Sequence, residues 1–479
     1  MRNIFIFLLL FLLNIQVYTQ DKIIKYNEYL SRIKENLPEL KSLNIDLKKA
    51  DNNIYKSRTI NDYHLEGNIN YFNDTGYQDY DSLEGINLSA KISKKYLPLG
   101  TSIYSVLKYS KTRVEGERQI IQEIVADIPV YKKQEFENNY FSPELEIGFT
   151  QPLLYNMKGI IDKYVINNSK YNYEIAKIQL QINKNSILNY YKKLYFNWIA
   201  RYKNVQLIKN TLKNANKIKE LVEDKYNSGL VDLDELEKAN SLVVSYKKQL
   251  LNYQMLLDLL EKELNVIINI TNYKPNLNLY DSFFNKACSL CQNDIETPFN
   301  KTNNYYIFEK SLEKLGLLKR VNKNKTLPEL NIVANMKLKS KENSLNDSIN
   351  KLNDIDYQFG LSLNLPVNNY QAKGNLIDTK LSIEQLEYEL EENKNMYHKQ
   401  VESILEQIES KRKMIGYIKE NIDILNSEYE TEESKYEQAR LTLQVLLDTE
   451  NKITNEKINF LATKNELINL YLDFINLTD

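Results

Sequence analysis

Apolar residues recur at spacings of mostly three and four over two very long stretches of the chain. Residues 160–227, just after Gly159, contain no Pro or Gly. Within them Ile175, Ile178 and Ile182 form one apolar series, and Leu188, Tyr191, Leu194 and Trp198 form another. At 1.5 Å per residue such a helix is roughly 100 Å long. A break at Ser228-Gly229 follows, and a second helix is predicted from about Asp232 to Ile270. The plan returns at residues 375–438, with no Pro and a single Gly, Gly416. After a break at Ala439 to Thr442, a last helix covers about residues 443–474. Helices this long exceed the wall of one globule, so they are expected to pair as antiparallel coiled-coil hairpins.

Shorter segments show a period of two. Ile86, Leu88, Ala90 and Ile92 alternate with Asn87, Ser89, Lys91 and Ser93, and Leu145, Ile147 and Phe149 alternate with polar or small neighbours. Ile332, Ala334, Met336 and Leu338 repeat the pattern, as do Tyr357, Phe359, Leu361, Leu363 and Leu365. Weaker alternation runs over Leu65 to Tyr71 and Thr101 to Tyr109. One apolar and one Lys/Glu/Asn-rich face fits a water-filled barrel with a lipid-facing exterior. A sandwich fits the same alternation.

The two halves repeat each other. Gln151-Pro152-Leu153 and Gly159 recur as Leu365-Pro366-Val367 and Gly374, and Lys225-Tyr226 recurs as Lys435-Tyr436. Each copy reads strands, Pro turn, long helix, tip and returning helix. The expected organisation is residues 21–270 as a first repeat, 271–326 as a linker and 327–479 as a second repeat. Four to six strands per chain fall short of the eight that the smallest outer-membrane barrels use. Open edges do not survive in lipid, so several copies, most economically three, are expected to share one barrel. Tyr96 to Gly100 reads either as a turn between two extra strands or as a bulge in one long strand, which leaves four or six strands open.

Composition narrows the function. Lys+Arg (63) and Asp+Glu (64) nearly cancel, to a net charge of -1, which disfavours nucleic acid as a partner. With two His, His64 and His398, in unrelated contexts, a His-based metal site or catalytic triad is excluded, and no phosphate loop appears. The expectation is therefore a non-enzyme without cofactor or metal. Residues 1–20, with Arg2 before an apolar run from Ile4 to Leu13, read as a secretory signal peptide. Past them no apolar run is long enough for a spanning helix. The only cysteines, Cys288 and Cys291, form a C-x-x-C without the further ligands zinc needs, and read as a local disulfide or two free thiols.

At the tips the sequence resembles the outer membrane factor family, the TolC-like channels of efflux pumps and type I secretion systems. The markers are FTQPLLYNMKG (149–159), KYNSGLVDLDEL (225–236) and KYEQARLTLQVLLDTEN (435–451). The resemblance runs over nearly all of the chain past the signal. It implies a homotrimer, mainly α with membrane β: an outer-membrane β-barrel in lipid, continuous with a helical tunnel in the periplasm. A periplasmic adaptor would dock at the tip and link it to an inner-membrane transporter of resistance-nodulation-division or ABC type. By position, Gly229, Leu230 and Val231 match the first docking tip, and Ala439, Arg440, Leu441 and Thr442 the second. Ala439 stands where glycine is usual, which makes a left-handed turn there less expected. Asp448 matches an aspartate at the closed periplasmic mouth, where three copies would attract cations; read without the family, it is a solvated residue early in the last helix. Tyr436 and Glu235 match positions that link the coiled coils shut, while Leu441 replaces an arginine partner.

Other features are read plainly. Glu428, Glu430, Glu432 and Glu433 are expected to form a solvated coiled-coil face. Residues 24–57 are expected to form one helix, residues 306–318 a helix within the linker, and residues 113–142 the main insertion. The rival to the channel is a secreted structural coiled-coil protein with a small soluble β domain.

Overall fold

The computed structural model describes residues 22–76, 81–125, 128–271, 273–290 and 298–478. The segment read as a signal peptide and Cys291 lie outside the described residues. In chain order the elements are β1 (Lys22–Ile24), α1 (Tyr26–Asn36), α2 (Pro38–Ser57), β2 (His64–Thr75), β3 (Ser82–Tyr96), β4 (Thr101–Val125) and β5 (Ile128–Pro152). There follow α3 (Ile160–Asn227), α4 (Leu233–Ile268), β6 (Tyr273–Pro275), α5 (Asn278–Cys288), α6 (Asn303–Lys325), β7 (Glu329–Lys339), α7 (Leu345–Asn350), β8 (Asp354–Asn364), α8 (Tyr370–Glu437) and α9 (Leu443–Thr478). The four long helices stand where periodicity puts them. Their lengths match in pairs: α3 and α8 have 68 residues each, α4 and α9 have 36 each. Among the described residues no helix is long and apolar enough to cross a membrane.

Two sequence expectations are corrected, and two further segments find their place. The single helix over residues 24–57 is two helices, α1 and α2, divided at Leu37, which is extended ahead of Pro38. Proline disfavours the helical conformation in the residue before it. The linker helix runs past both expected ends, to Asn303–Lys325, carrying Gly316 in open space. The insertion at 113–142 is the continuation of β4 and β5, each 25 residues long. Leu97 to Gly100 is a turn between β3 and β4, and among the described residues the sheet has six strands.

The chain divides into two compact units, residues 46–177 with 307–390, and residues 1–45 with 178–306 and 391–479. The first holds a fully antiparallel sheet of order β2-β3-β4-β5-β7-β8. Cross-strand partners share a face, so the register shows which side chains stand together. One face carries Leu65, Ile69 and Tyr71 on β2, Ile86, Leu88 and Ile92 on β3, and Ile103 and Leu107 on β4. It continues through Leu145, Ile147 and Phe149 to Met336 and Leu338, then Ile355, Tyr357, Phe359 and Leu361. Within one chain this face is bare: Ile69 is 78% exposed and Phe359 75%. The opposite face is polar and internally bonded. Glu146 accepts from Tyr104 Oη (3.0 Å) and Asn335 Nδ2 (3.0 Å), Lys108 reaches Glu144 (2.9 Å), and Lys91 faces Glu66 (3.7 Å).

Where β5 gives way to α3, Gly159 has φ +64, and a Cβ there would lie 2.1 Å from Leu97 O. Only glycine fits so close to the β3–β4 turn, which accounts for the glycine of FTQPLLYNMKG.

The second unit packs portions of the long helices around an aromatic core. Tyr29, Tyr195, Phe196, Trp198 and Tyr280 are fully buried, and their polar atoms are satisfied. Tyr29 Oη donates to Tyr191 O (3.0 Å), Tyr195 Oη to Ile24 O (3.1 Å) and Trp198 Nε1 to Glu261 (2.9 Å). Buried phenols and indoles find such partners because an unmade bond costs about 1–3 kcal/mol. The parallel pair β1–β6 joins the N-terminal strand to the linker, and α5 is held by Lys464, which pairs with Asp281 beneath the rings of Tyr280 and Phe284.

Candidate functional site

The two helix–helix tips lie in the second unit and are built alike. At the first, α3 ends with Gly229 at φ +70, Gly229 N donates to Tyr226 O (2.9 Å) and Leu230 N to Lys225 O (2.8 Å). This pair of bonds is a Schellman closure, which needs one residue in the left-handed region. At the second, Ala439 N donates to Tyr436 O (3.1 Å) and Arg440 N to Lys435 O (2.9 Å). Ala439 has φ +57. The expectation that loss of glycine would disfavour this turn is therefore corrected: alanine adopts it, because the two closing bonds are retained. Arg440, Ala439 and Thr442 are exposed, Leu441 is half-buried, and Leu230 stands 73% exposed at the first tip.

Beneath the tips Ile218, Val222, Leu242, Val243, Leu443, Leu446 and Leu447 form one apolar cluster, with Val231 and Leu441 packed at its margin. A groove of about 470 Å³ opens between the tips, lined by Leu230, Val231, Glu235, Tyr436, Arg440 and Leu441 among others.

The structure brings Tyr436 and Glu235 together. Tyr436 is buried to 2% exposure and its Oη donates to Glu235 Oε2 (3.0 Å). Burial, then the neighbouring carboxylate, pushes this phenol well above its ordinary range. Lys225 completes the arrangement, and periodicity marked it only as a repeated Lys-Tyr pair. Its Nζ lies 4.0 Å from the Tyr436 ring centroid and donates to Tyr436 O (2.8 Å). A cation over an aromatic face contributes about 0.5–2 kcal/mol. Lys225 and Glu235 come from the first hairpin and Tyr436 from the second, so one chain ties its own two hairpins.

Asp448 stands apart from this tie. It is exposed in the second turn of α9 and accepts from Gln444 Nε2 (2.8 Å), with Val445 beside it 38% exposed. Glu432, expected to be solvated, is buried, while Glu428, Glu430 and Glu433 are exposed. The residue that composition gave no reason to single out is Glu450, buried one turn below the tip cluster. Burial raises its carboxyl pKa, with Glu433 adding to the rise, while Lys457 and a bond from Asn214 lower it. Nearby Tyr246 Oη donates to Asn451 (2.8 Å), and burial pushes this phenol up to about 12. Cys288 closes α5 half-buried. Among the described residues no group of three His, Cys, Asp or Glu is placed to hold a metal ion.

With sheet and tips in place, the fold is that of solved outer-membrane channels, and the resemblance read at the tip motifs holds for the fold. In particular, the chain is similar to the outer membrane protein VceC from Vibrio cholerae, at 13% identity and a TM-score of 0.64, over 94% of this chain and 95% of that one. It is likewise similar to the Campylobacter jejuni CmeC outer membrane channel, at 14% identity and TM-score 0.61, over 97% and 90% of the two chains. The open state of the Neisseria gonorrhoeae MtrE outer membrane channel matches at 11% identity and TM-score 0.60, over 96% and 94%. No family model matches the chain, and no curated protein matches it.

Proposed function

We propose that this chain is an outer membrane factor, the passive exit duct of a tripartite efflux pump or type I secretion system. Three copies pool their sheets into one β-barrel in outer-membrane lipid, and the barrel strands run on into coiled-coil hairpins on the periplasmic side. The matched helix lengths support a duplicated origin for the two halves. The observation that carries the reading is the six-strand apolar face, bare in the single chain and backed by a polar face. In water so large an apolar patch is a liability. In lipid it is the required exterior, and the bonded polar face is the wall of a wet lumen. A soluble β domain would leave Ile69, Tyr357 and Phe359 facing water, which weighs against the secreted coiled-coil alternative.

In this reading Gly229, Leu230 and Val231, with Ala439, Arg440, Leu441 and Thr442, form the surface on which a periplasmic adaptor docks; the exposure of Leu230 supports it. Tyr436 and Glu235 hold the hairpins in the closed arrangement, and Asp448 lines the mouth. No chemistry is required of the chain: energy comes from the inner-membrane transporter, and the duct supplies a hydrated path through lipid. The test is extraction and reconstitution of the full-length protein. It is expected to need detergent, to migrate faster unheated than heated, and to give discrete conductance steps in planar bilayers. A mature protein that is monomeric and soluble without detergent overturns the proposal.

A further inference from the structure

The second half of the chain supplies one hairpin to the sheet, β7–β8, whereas the first half supplies two. The additional one is β2–β3, whose outer strand β2 pairs, among the described residues, with β3 alone. We propose that β2–β3 is a wall segment that widens the barrel: β2 of one copy takes β8 of the next, and three six-stranded sheets close as a ring of eighteen strands. This inference rests on the three-copy channel reading and adds the width of the ring and the class of cargo that it admits.

Three observations support it. First, β2 and β8 run in opposite senses, since β2 leaves a helix and β8 enters one, so pairing across copies continues the antiparallel order. Second, the apolar face reaches both edges, through Leu65, Ile69 and Tyr71 on β2 and Tyr357, Phe359 and Leu361 on β8, with Lys94, Ser105 and Lys111 interspersed on β3 and β4. A hairpin lying outside the ring would have no reason to carry the lipid-facing pattern.

The third is the register. A line perpendicular to the strands passes from His64 through Ser93, Tyr104, Gly148 and Asn335 to Gln358. It starts at the helix-proximal end of β2 and arrives about six residues from the helix-proximal end of β8. With strands about 4.8 Å apart and 3.3 Å per residue, that stagger corresponds to a tilt of about 40°. Outer-membrane barrels tilt by roughly 35–45°. The hairpin thus carries its share of the shear that closure requires.

Eighteen strands at this tilt give a backbone diameter of about 36 Å, against about 24 Å for the twelve that a sheet without β2–β3 would supply. After about 10 Å of side chains, the free widths are about 26 Å and 14 Å. A helical hairpin is roughly 20 Å across, so the wide ring admits polypeptide with secondary structure, which the narrow one stops. The barrel is then no size filter for small solutes, and its cargo class extends to partly folded polypeptide.

Electron microscopy of the full-length protein in lipid nanodiscs measures the ring directly. A diameter near 36 Å is expected, and one near 24 Å overturns the inference while leaving the channel reading intact. Absence of any ring overturns the channel reading itself. Cysteine pairs test the seam in the Cys288→Ser, Cys291→Ser protein. Asn70→Cys or Phe72→Cys, each with Gln358→Cys, is expected to give covalent dimers and trimers on oxidation, whereas Ser110→Cys with Gln358→Cys is not. Trimers from the Ser110 pair alone place β2–β3 outside the ring and overturn the inference. Polyethylene glycol of about 10 Å radius, added on the barrel side of a bilayer, is expected to lower conductance. Its full exclusion overturns the cargo class.

Discussion

The two tips offer a reciprocal experiment, because the same closure is made once by glycine and once by alanine. Holding an L-residue in the left-handed region costs roughly 1–2 kcal/mol. Replacing alanine by glycine there removes that cost but frees the unfolded chain by about 0.4–1 kcal/mol. The balance for Ala439→Gly is a gain of about 0.7 kcal/mol in the local stability of the second tip. Gly229→Ala is expected to lose about the same at the first tip. A Cβ at Gly229 meets nothing within 4 Å, so the loss there is conformational and free of clash. Amide hydrogen exchange of the full-length protein in detergent reads each tip separately, since exchange at a helix end follows local opening. The reporting amides are Arg440 N, bonded to Lys435 O, and Leu230 N, bonded to Lys225 O. At 1.4 kcal/mol per factor of ten, the shift is about threefold: slower in residues 435–443 for Ala439→Gly, faster in residues 225–233 for Gly229→Ala. Unchanged or faster exchange at the second tip in Ala439→Gly would refute the claim that alanine is strained there.

Three further outcomes follow from single side chains. Glu450 has a raised carboxyl pKa in the folded state, so folding takes up a proton and stability falls as pH rises from the ordinary glutamate value through the raised one; Glu450→Gln is expected to raise the thermal midpoint at pH 7 and to leave it unchanged at pH 4. Asp448→Ala is expected to lower the cation preference of reconstituted channels by about fivefold, the equivalent of about 1 kcal/mol of attraction, and unchanged selectivity removes Asp448 from the mouth. Gly159→Ala forces a Cβ against Leu97 O at 2.1 Å and holds alanine at φ +64; a loss of more than about 2 kcal/mol is expected, seen as a lower temperature at which the folded, fast-migrating form disappears.

The long helices were legible to within a few residues because the signal is long: sixty-eight residues without Pro or Gly in α3 leave no rival to period 3.6. The break ahead of Pro38 was missed since an amphipathic pattern runs through it. Strand count was harder. In β3 and β4 each alternation continues into Tyr96 and out of Thr101 with only four residues between, so a turn and a bulge look alike until pairing fixes them. The ribbon made by the far ends of β4 and β5 was illegible for a different reason. Among the described residues each of its two strands is paired on one side only, with the other, and its faces are mixed: Glu117 and Lys133 stand on the same side as Ile121 and Tyr131. Without a buried face there is no period to read.

The candidate tie at the tips was half legible, and what was missing explains why. Tyr436 and Glu235 were read by resemblance; Lys225 was not, because no local pattern joins residues about 200 positions apart. Its role emerges only when the hairpins pack and its ammonium lies on the Tyr436 ring while its proton reaches the Tyr436 carbonyl. That carbonyl also accepts from Ala439 N, the strained residue of the second tip. Lys225 therefore bonds the same oxygen that closes the turn, so the cation that joins the hairpins also supports the turn that lacks its glycine. The coupling has a definite consequence. In a Lys225→Met protein, which keeps the aliphatic stem but removes the cation, hydrogen exchange at residues 435–443 is expected to be faster than in wild type, and Ala439→Gly is expected to restore more protection in that protein than it gains in the wild-type one. Strictly additive effects would separate the tie from the turn and leave Lys225 as a packing residue.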